Sequence, residues 1–186
     1  IGGVGLIKDY NKMITMDFKE VGNTVLVIGK TEGHIDQSIF ARNVLDEKNG
    51  PPPEINLFNE KNNGETLLKL IEAGHIKSSH DVSIGGIITA VSKMCIKGNK
   101  GINLKKPKYL INEIEYYFAE DQGRYIIEVS KDRLKKVIDI LNKNAVHFDE
   151  LGTINDDKLF IDEKTKVSID ELRTSNTNWL TNYMSK

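Results

Sequence analysis

The sequence predicts an α/β fold of the α+β kind, a single mixed β-sheet with helices packed on it. Three observations predict it. Short β-branched or alternating stretches take turns with stretches of helical apolar spacing, and Gly, Pro and Asn mark the boundaries between them. No internal repeat, low-complexity tract or linker divides the 186 residues, so residues 1–186 read as one domain. Chains of roughly 150 residues bury about 68–70% of their unfolded surface, so a self-sufficient core is available.

The elements follow in order. Val4–Ile7 and Met13–Phe18 alternate apolar and polar residues about Asp9 and Asn11, which supply turn chemistry, and predict a hairpin. Thr24–Lys30 is a continuous β-branched run bounded by Gly22-Asn23 and Gly33, the pattern of a buried strand. Ser38–Asp46 reads as a helix ending before Lys48-Asn49-Gly50, and Pro51, Pro52 and Pro53 then force extended backbone. From Phe58 to Ala73, Leu67, Leu68, Leu70 and Ile71 recur with helical spacing, and Gly74 stands where a left-handed cap is expected.

Ile76–Val82 is a strand or extended loop leading into a helix over Ile84–Ile96, whose Ile87, Ile88, Val91, Met94 and Cys95 form one apolar stripe for the core. Gly98–Leu104 turns and returns as a short strand, and Leu110–Phe118 is helical. Arg124–Val129 is a strand, followed by the amphipathic helix Asp132–Lys143 with Leu134, Val137, Ile138 and Leu141 inward. Three short strands at Phe148–Ile154, Lys158–Asp162 and Lys166–Ile169 and a helix over Asp170–Tyr183 complete the series.

Composition excludes several classes. Lys+Arg at 26 against Asp+Glu at 27 gives a net charge of -1 and no general pull toward nucleic acid. The cluster Lys105, Lys106 and Lys108 reads as a solvated turn around Pro107. The one cysteine, Cys95, precludes an internal disulfide and fits a reducing, cytoplasmic compartment. No apolar run approaches the roughly 18 residues of a membrane span. The chain opens at Ile1 with Gly-Gly and no charged-then-apolar leader, and reads as a piece of something longer.

Two clusters carry candidate chemistry. Ser78-Ser79-His80-Asp81-Val82-Ser83-Ile84-Gly85-Gly86 lies between an extended segment and a helix. Ser83 is a good N-cap there, and Gly85 and Gly86 let a ligand or a neighbouring backbone approach a helix N-terminus that favours anions. Asp81 has the chemistry to hold a magnesium ion or bond a ribose hydroxyl, and His80 to donate to a phosphate or shuttle a proton. The competing reading is structural: Ser83 caps, the glycines allow tight packing, and His80 and Asp81 satisfy buried backbone. Three consecutive residues cannot form a Ser–His–Asp relay. Glu120, Asp121, Gln122 and Arg124, at a strand entrance, suit polar ligand recognition and equally suit a charged turn. His34, His75 and His147 lack zinc-ligand spacing.

In combination these residues resemble a known family. Gly50-Pro51-Pro52-Pro53, Glu60-Lys61-Asn62-Asn63-Gly64, Ser79-His80-Asp81-Val82-Ser83-Ile84-Gly85-Gly86 and Glu120-Asp121-Gln122-Gly123-Arg124-Tyr125 occur in this order in the phosphoribosylformylglycinamidine synthases, and Ile1-Gly2-Gly3-Val4-Gly5-Leu6-Ile7 is similar to the segment entering their final domain. The resemblance, to the small separate-subunit form, covers almost the whole chain. It implies a C-terminal domain of the aminoimidazole ribonucleotide synthetase type, within an ATP- and magnesium-dependent ligase of purine synthesis. In such a ligase the formamide oxygen of formylglycinamide ribonucleotide is phosphorylated and ammonia displaces the phosphate. Implied partners are the remaining domains of the same polypeptide, a glutaminase subunit and a small accessory subunit, with no nucleic acid and no membrane.

The family's first-half catalytic histidine and its Gly-Asn-x-Ser nucleotide motif find no counterpart here, so the isolated piece is expected to be inactive. Gly33-His34-Ile35-Asp36-Gln37-Ser38 departs from the family's usual Gly-x-Leu-Gly-x-Ser, and Ile84 stands where an acid is common. The resemblance implies that Asp81 faces metal and phosphate and that Glu120, Asp121 and Gln122 face substrate or a second nucleotide, or else that either cluster is structural in this half. Two alternatives remain: a noncatalytic assembly domain, or a domain of another ATP-using relative of the thiamine monophosphate kinase or selenophosphate synthetase type.

Overall fold

Thr24–Ile28 (β1) is buried at every residue, because helices cover both faces of the sheet in which it is an interior strand. That explains a strand with no polar alternation. The computed structural model describes residues 4–105, 111–161 and 165–185. After β1 come α1 (Ile39–Asn43), α2 (Leu57–Glu72), β2 (Ser78–Asp81), α3 (Gly86–Gly98), β3 (Gly101–Leu104) and α4 (Glu113–Phe118). The order continues with β4 (Tyr125–Val129), α5 (Leu134–Lys143), β5 (Phe148–Asn155), β6 (Lys158–Ile161), β7 (Thr165–Ser168) and α6 (Ile169–Met184).

Among the described residues these strands form one seven-stranded mixed sheet, ordered β2-β4-β1-β5-β3-β6-β7. Every pair is antiparallel except β3 with β6. The pleat divides β1 between two cores. Val25 and Val27 join Ile126, Leu151 and Ile154 against Ile87, Val91, Met94 and Cys95 of α3 and Tyr116 and Tyr117 of α4. Leu26 and Ile28 join Ile127 and Val129 against Leu67 and Leu70 of α2 and Val137 and Leu141 of α5. The register of β5 on β1 slips between Val25 and Leu26, at a bulge beside Gly152. A Cβ on Gly152 would lie 1.9 Å from the Asn103 carbonyl oxygen, so only glycine lets β3 and β5 pair there.

Most expected elements are present, with shifted ends. The α1 helix stops at Asn43, short of Asp46, and Ser38 caps it by accepting from the Ala41 N–H. Gly74 has φ +65°, the left-handed cap expected after α2. Lys106 and Lys108, the start of the expected 110–118 helix and the end of the expected 158–162 strand lie outside the described residues, while Lys105 pairs with Glu150.

The hairpin expected over residues 4–18 is absent. Val4, Leu6, Ile7 and Met13 are more than half exposed, and an isolated two-stranded ribbon with no face to bury is marginal. Asp9 does supply turn chemistry, capping a single 3-10 turn at Tyr10–Lys12. The chain then runs along the sheet edge. The Thr15 carbonyl accepts from Ser79 N–H at 3.3 Å, and the buried Phe18 donates its N–H to Met94 at 3.3 Å.

Glu128, inside β4 and fully buried, was not singled out by the sequence. Its carboxylate accepts from the backbone N–H of Lys19 at 2.8 Å and of Glu20 at 3.0 Å, from Asn23 Nδ2 at 2.7 Å and from Ser78 Oγ at 3.0 Å. Four donors match the four acceptor positions of a carboxylate. One side chain thereby fixes the segment before β1 and the start of β2. Substituting Glu128→Gln presents an amide N–H₂ to N–H donors and leaves at least one buried donor unpaired, costing about 2–4 kcal/mol. The expected outcome is a melting temperature lower by roughly 5–15 °C in circular dichroism; an unchanged midpoint would mean that the four bonds do not hold the fold.

Cys95 sits fully buried on α3, and burial pushes its thiol up to about 12. A thiol-specific chromogenic reagent at pH 8 is therefore expected to leave Cys95 unmodified in the native protein and to modify it stoichiometrically in denaturant. Rapid modification without denaturant would show that α3 lifts from the sheet.

Candidate functional site

The first cluster forms where β2 leaves the sheet. Val82 N–H still pairs with Arg124 at 2.9 Å, and the chain then turns through Ser83 and Ile84 into α3. Ser83 is not the N-cap that the sequence predicts. The cap position is Gly85, at φ +83°, with no side-chain cap. Its N–H donates instead to Glu120 Oε1 at 2.8 Å, while Gly86 N–H donates to the Ser83 carbonyl at 3.0 Å. A long-range carboxylate does the capping, a partner that local spacing cannot reveal. A Cβ on Gly86 would stand 2.6 Å from the carbonyl oxygens of Tyr117 and Ala119, so the glycine pair seats the first turn of α3 on the end of α4.

His80 points to the α3 side of the sheet, in register with Ile126, its side chain only 13% exposed. Its Nδ1 lies 3.1 Å from Asp81 Oδ1, and its Nε2 is buried with no hydrogen-bond partner among the described residues. Burial lowers the His80 pKa and Lys93 of α3 adds to that, against the opposing pull of Asp81. Asp81 itself is 61% exposed, at the tip of β2.

The second cluster is largely a set of internal fastenings. Asp121 is buried and accepts from three successive backbone N–H groups, Glu32 at 3.0 Å, Gly33 at 3.1 Å and His34 at 3.2 Å. Arg124 is 1% exposed and donates to the Asp121 carbonyl at 3.0 Å, the Ala119 carbonyl at 2.7 Å and Thr31 Oγ1 at 3.0 Å. Glu120 Oε1 accepts from Ile39 N–H of α1 at 2.8 Å as well as from Gly85, so it ties the two sequence clusters together. Gln122 is the exposed member, its amide 3.3 Å from the Glu120 carbonyl.

Beside these fastenings opens a polar cleft of about 530 Å³. Lys30, Glu32, Gly33 and His34 form one wall, Glu54, Asn56, Asn59, Glu60 and Asn63 of the α2 entrance the other, and Asp121, Gln122 and Gly123 the floor. His80, Asp81, Ser83, Gly85 and Gly86 do not line it. Asn63 Nδ2 donates to the Gly123 carbonyl at 2.9 Å and holds the α2 wall on the floor. Glu60 and Asn63 went unassigned as site residues, although their spacing places them on one face of a helix start capped by Asn56. Tyr125 joins the regions: burial raises its phenol pKa, and the carboxylates of Glu60 and of Asp81, its register partner on β2, raise it further. Among the described residues no three His, Cys, Asp or Glu side chains are grouped to hold a metal ion by themselves, and no helix is long and apolar enough to cross a membrane.

Against known proteins, the phosphoribosylformylglycinamidine synthase subunit PurL of Pelagibacter ubique is 73% identical over 184 residues, 99% of this chain and 25% of that protein. The chain thus spans about a quarter of the length of the curated relatives it matches. Solved structures share the fold. Thermotoga maritima PurL complexed with FGAR superposes with a TM-score of 0.71 at 18% identity, over 87% of this chain and 29% of that one. The same protein complexed with ATP gives 0.65 at 17% identity, over 87% and 27%. The model of one family, AIR synthase related protein, C-terminal domain, matches residues 20–163, which include the whole sheet up to β6 and both candidate clusters. The chain therefore belongs to the AIR synthase-related C-terminal domain family.

Proposed function

We propose that this chain is the final C-terminal domain of a phosphoribosylformylglycinamidine synthase subunit, one folded domain of an ATP-dependent carbon–nitrogen ligase in cytoplasmic purine synthesis. The observation that carries this reading is the 73% identity to such a subunit across 99% of the chain. It favours the synthase over the kinase and selenophosphate synthetase relatives. In the ligase the formamide oxygen of formylglycinamide ribonucleotide takes the terminal phosphate of ATP, ADP leaves, and ammonia from a glutaminase subunit displaces the phosphate to form the amidine. The remaining domains of the polypeptide and a small accessory subunit complete the assembly.

The share of that chemistry assigned to this chain follows from which groups are unengaged. Glu120, Asp121 and Arg124 are committed to loop N–H and carbonyl groups, and the N–H groups of Gly85 and Gly86 are already bonded. These residues shape the region. Asp81 is the exposed carboxylate of the motif; with His80 beside one oxygen, its second would be this chain's contribution to holding a magnesium ion, which would offset phosphate charge there. Ser83 is exposed beside it. Gln122, with Glu60 across the cleft, offers donors and acceptors to the hydroxyl-rich part of a nucleotide. One carboxylate is too few for a metal site, so catalysis requires groups from other domains.

In the full synthase polypeptide Asp81→Asn should therefore weaken nucleotide or ribonucleotide binding by roughly 10–150-fold, the loss of a charge-assisted contact of about 1.5–3 kcal/mol. Its melting temperature should hold, since the side chain is exposed. Isothermal titration beside thermal melting reads both; unchanged affinity with lost stability would make this an assembly domain without a ligand role. The 186-residue chain alone should release no phosphate in response to formylglycinamide ribonucleotide, and turnover by it would overturn the division of labour.

A further inference from the structure

The last helix is built as an amphipathic helix, yet only its first turn is packed. Ile169 is buried and Leu172 partly buried against the α3 core, and Arg173 bonds Asn99 Oδ1 at 2.7 Å at the end of α3. From residue 174 onward every described residue of α6 is exposed. The apolar stripe nevertheless continues. At about 100° per residue, Ile169, Leu172, Trp179, Leu180, Tyr183 and Met184 fall within one arc of roughly 140°. Trp179 and Tyr183 stack with ring centroids 5.5 Å apart, and both are more than half exposed, as are Leu180 and Met184.

Charge points the same way. Residues 174–185 contain no Asp, Glu, Lys or Arg, in a chain that is 28% charged. Solvent-facing helices carry charge, whereas the centres of protein interfaces lose it and gain Trp, Tyr and Met. Three unsupported turns are also too short to be a stable helix in water by themselves.

We infer that the exposed face of α6 docks against another part of the long polypeptide to which this domain belongs. The family model ends at residue 163, whereas the alignment to the long synthase subunit spans 184 residues, so α6 accompanies the long chain rather than the shared domain. The exposed apolar residues Val4, Leu6, Ile7 and Met13 lie outside the family model in the same way. Size favours a tethered partner too. The four side chains offer roughly 500 Å² on one side, below the roughly 800 Å² per partner of a stable free dimer, while a covalent tether raises the effective concentration enough for a small face to stay closed. This inference rests on the synthase reading for its occupant.

Hydrogen exchange of the 174–185 amides in the 186-residue chain and in the full synthase polypeptide tests it. Exchange is expected to be about tenfold or more slower in the full polypeptide, and the double substitution Leu180→Asp, Tyr183→Asp there should remove that protection while leaving β1 protected. Equal, fast exchange in both would overturn the docking; phosphate release dependent on formylglycinamide ribonucleotide in that same preparation would show the synthase reading still standing. Trp179, the single tryptophan, tests the second occupant in the 186-residue chain. A concentration-dependent blue shift with a doubled mass in light scattering would assign the face to a second copy and overturn the inference, whereas emission that stays solvated at all concentrations supports it.

Discussion

One buried carboxylate sets the frame. Glu128 stands in the most desolvated part of the sheet, and a carboxylate there is tolerable only when its acceptor positions are filled. The groups that fill them come from residues 19, 20, 23 and 78, more than 50 positions away for all but Ser78, which is 50 away. The path of the chain into β1 and the placement of the edge strand β2 are thus consequences of satisfying one side chain. Asp121 and Glu120 repeat the device outside the sheet. Asp121 shapes the 32–34 loop, and Glu120 brings the entrances of α1 and α3 together. All three acids belong to one nine-residue stretch, so 120–128 acts as the template on which distant loops are laid.

The regular elements were legible because their causes are local. A β-branched run makes β1, Asn56 and Gly74 bracket α2, and the amphipathic period of α5 places Val137 and Leu141 inward. What was misread has distant causes. Ser83 has the chemistry of a cap, but the cap position is Gly85, and Glu120, 35 residues beyond Gly85, takes its N–H. Residues 4–18 alternate like a hairpin, and alternation without a covering layer forms no sheet. For Glu120, Asp121 and Arg124 the sequence left a ligand site and a charged turn equally open, and their bonded partners show that they hold backbone. Glu128 had a readable signal, a lone acid inside Tyr-Ile-Ile-Glu-Val, which a buried strand permits only with partners.

Function and fold divide along the same line. The Gly pair, the buried acids and Arg124 build a rigid rim, and the groups left over, Asp81 and the cleft-facing Gln122 and Glu60, are few and set on its edge. On the reading proposed above, such a domain presents part of a site, and its rim would hold the polar groups in place for a second domain to complete the chemistry.

The strand order has a consequence for synthesis. Among the described strands β1 is made first, yet its two neighbours are β4 and β5, which follow about a hundred residues later. The core on the α3 side takes in Leu151, Ile154, Leu159 and Ile169, so it cannot close until the ribosome has delivered them, and that face of the sheet forms late in the synthesis of the domain. Until then Thr-Val-Leu-Val-Ile is an uncharged, β-prone segment without partners, the kind of sequence that invites wrong pairing. Protecting it in that interval is a task for chaperones, and substitutions that slow β4 or β5 should be felt first in yield of soluble protein.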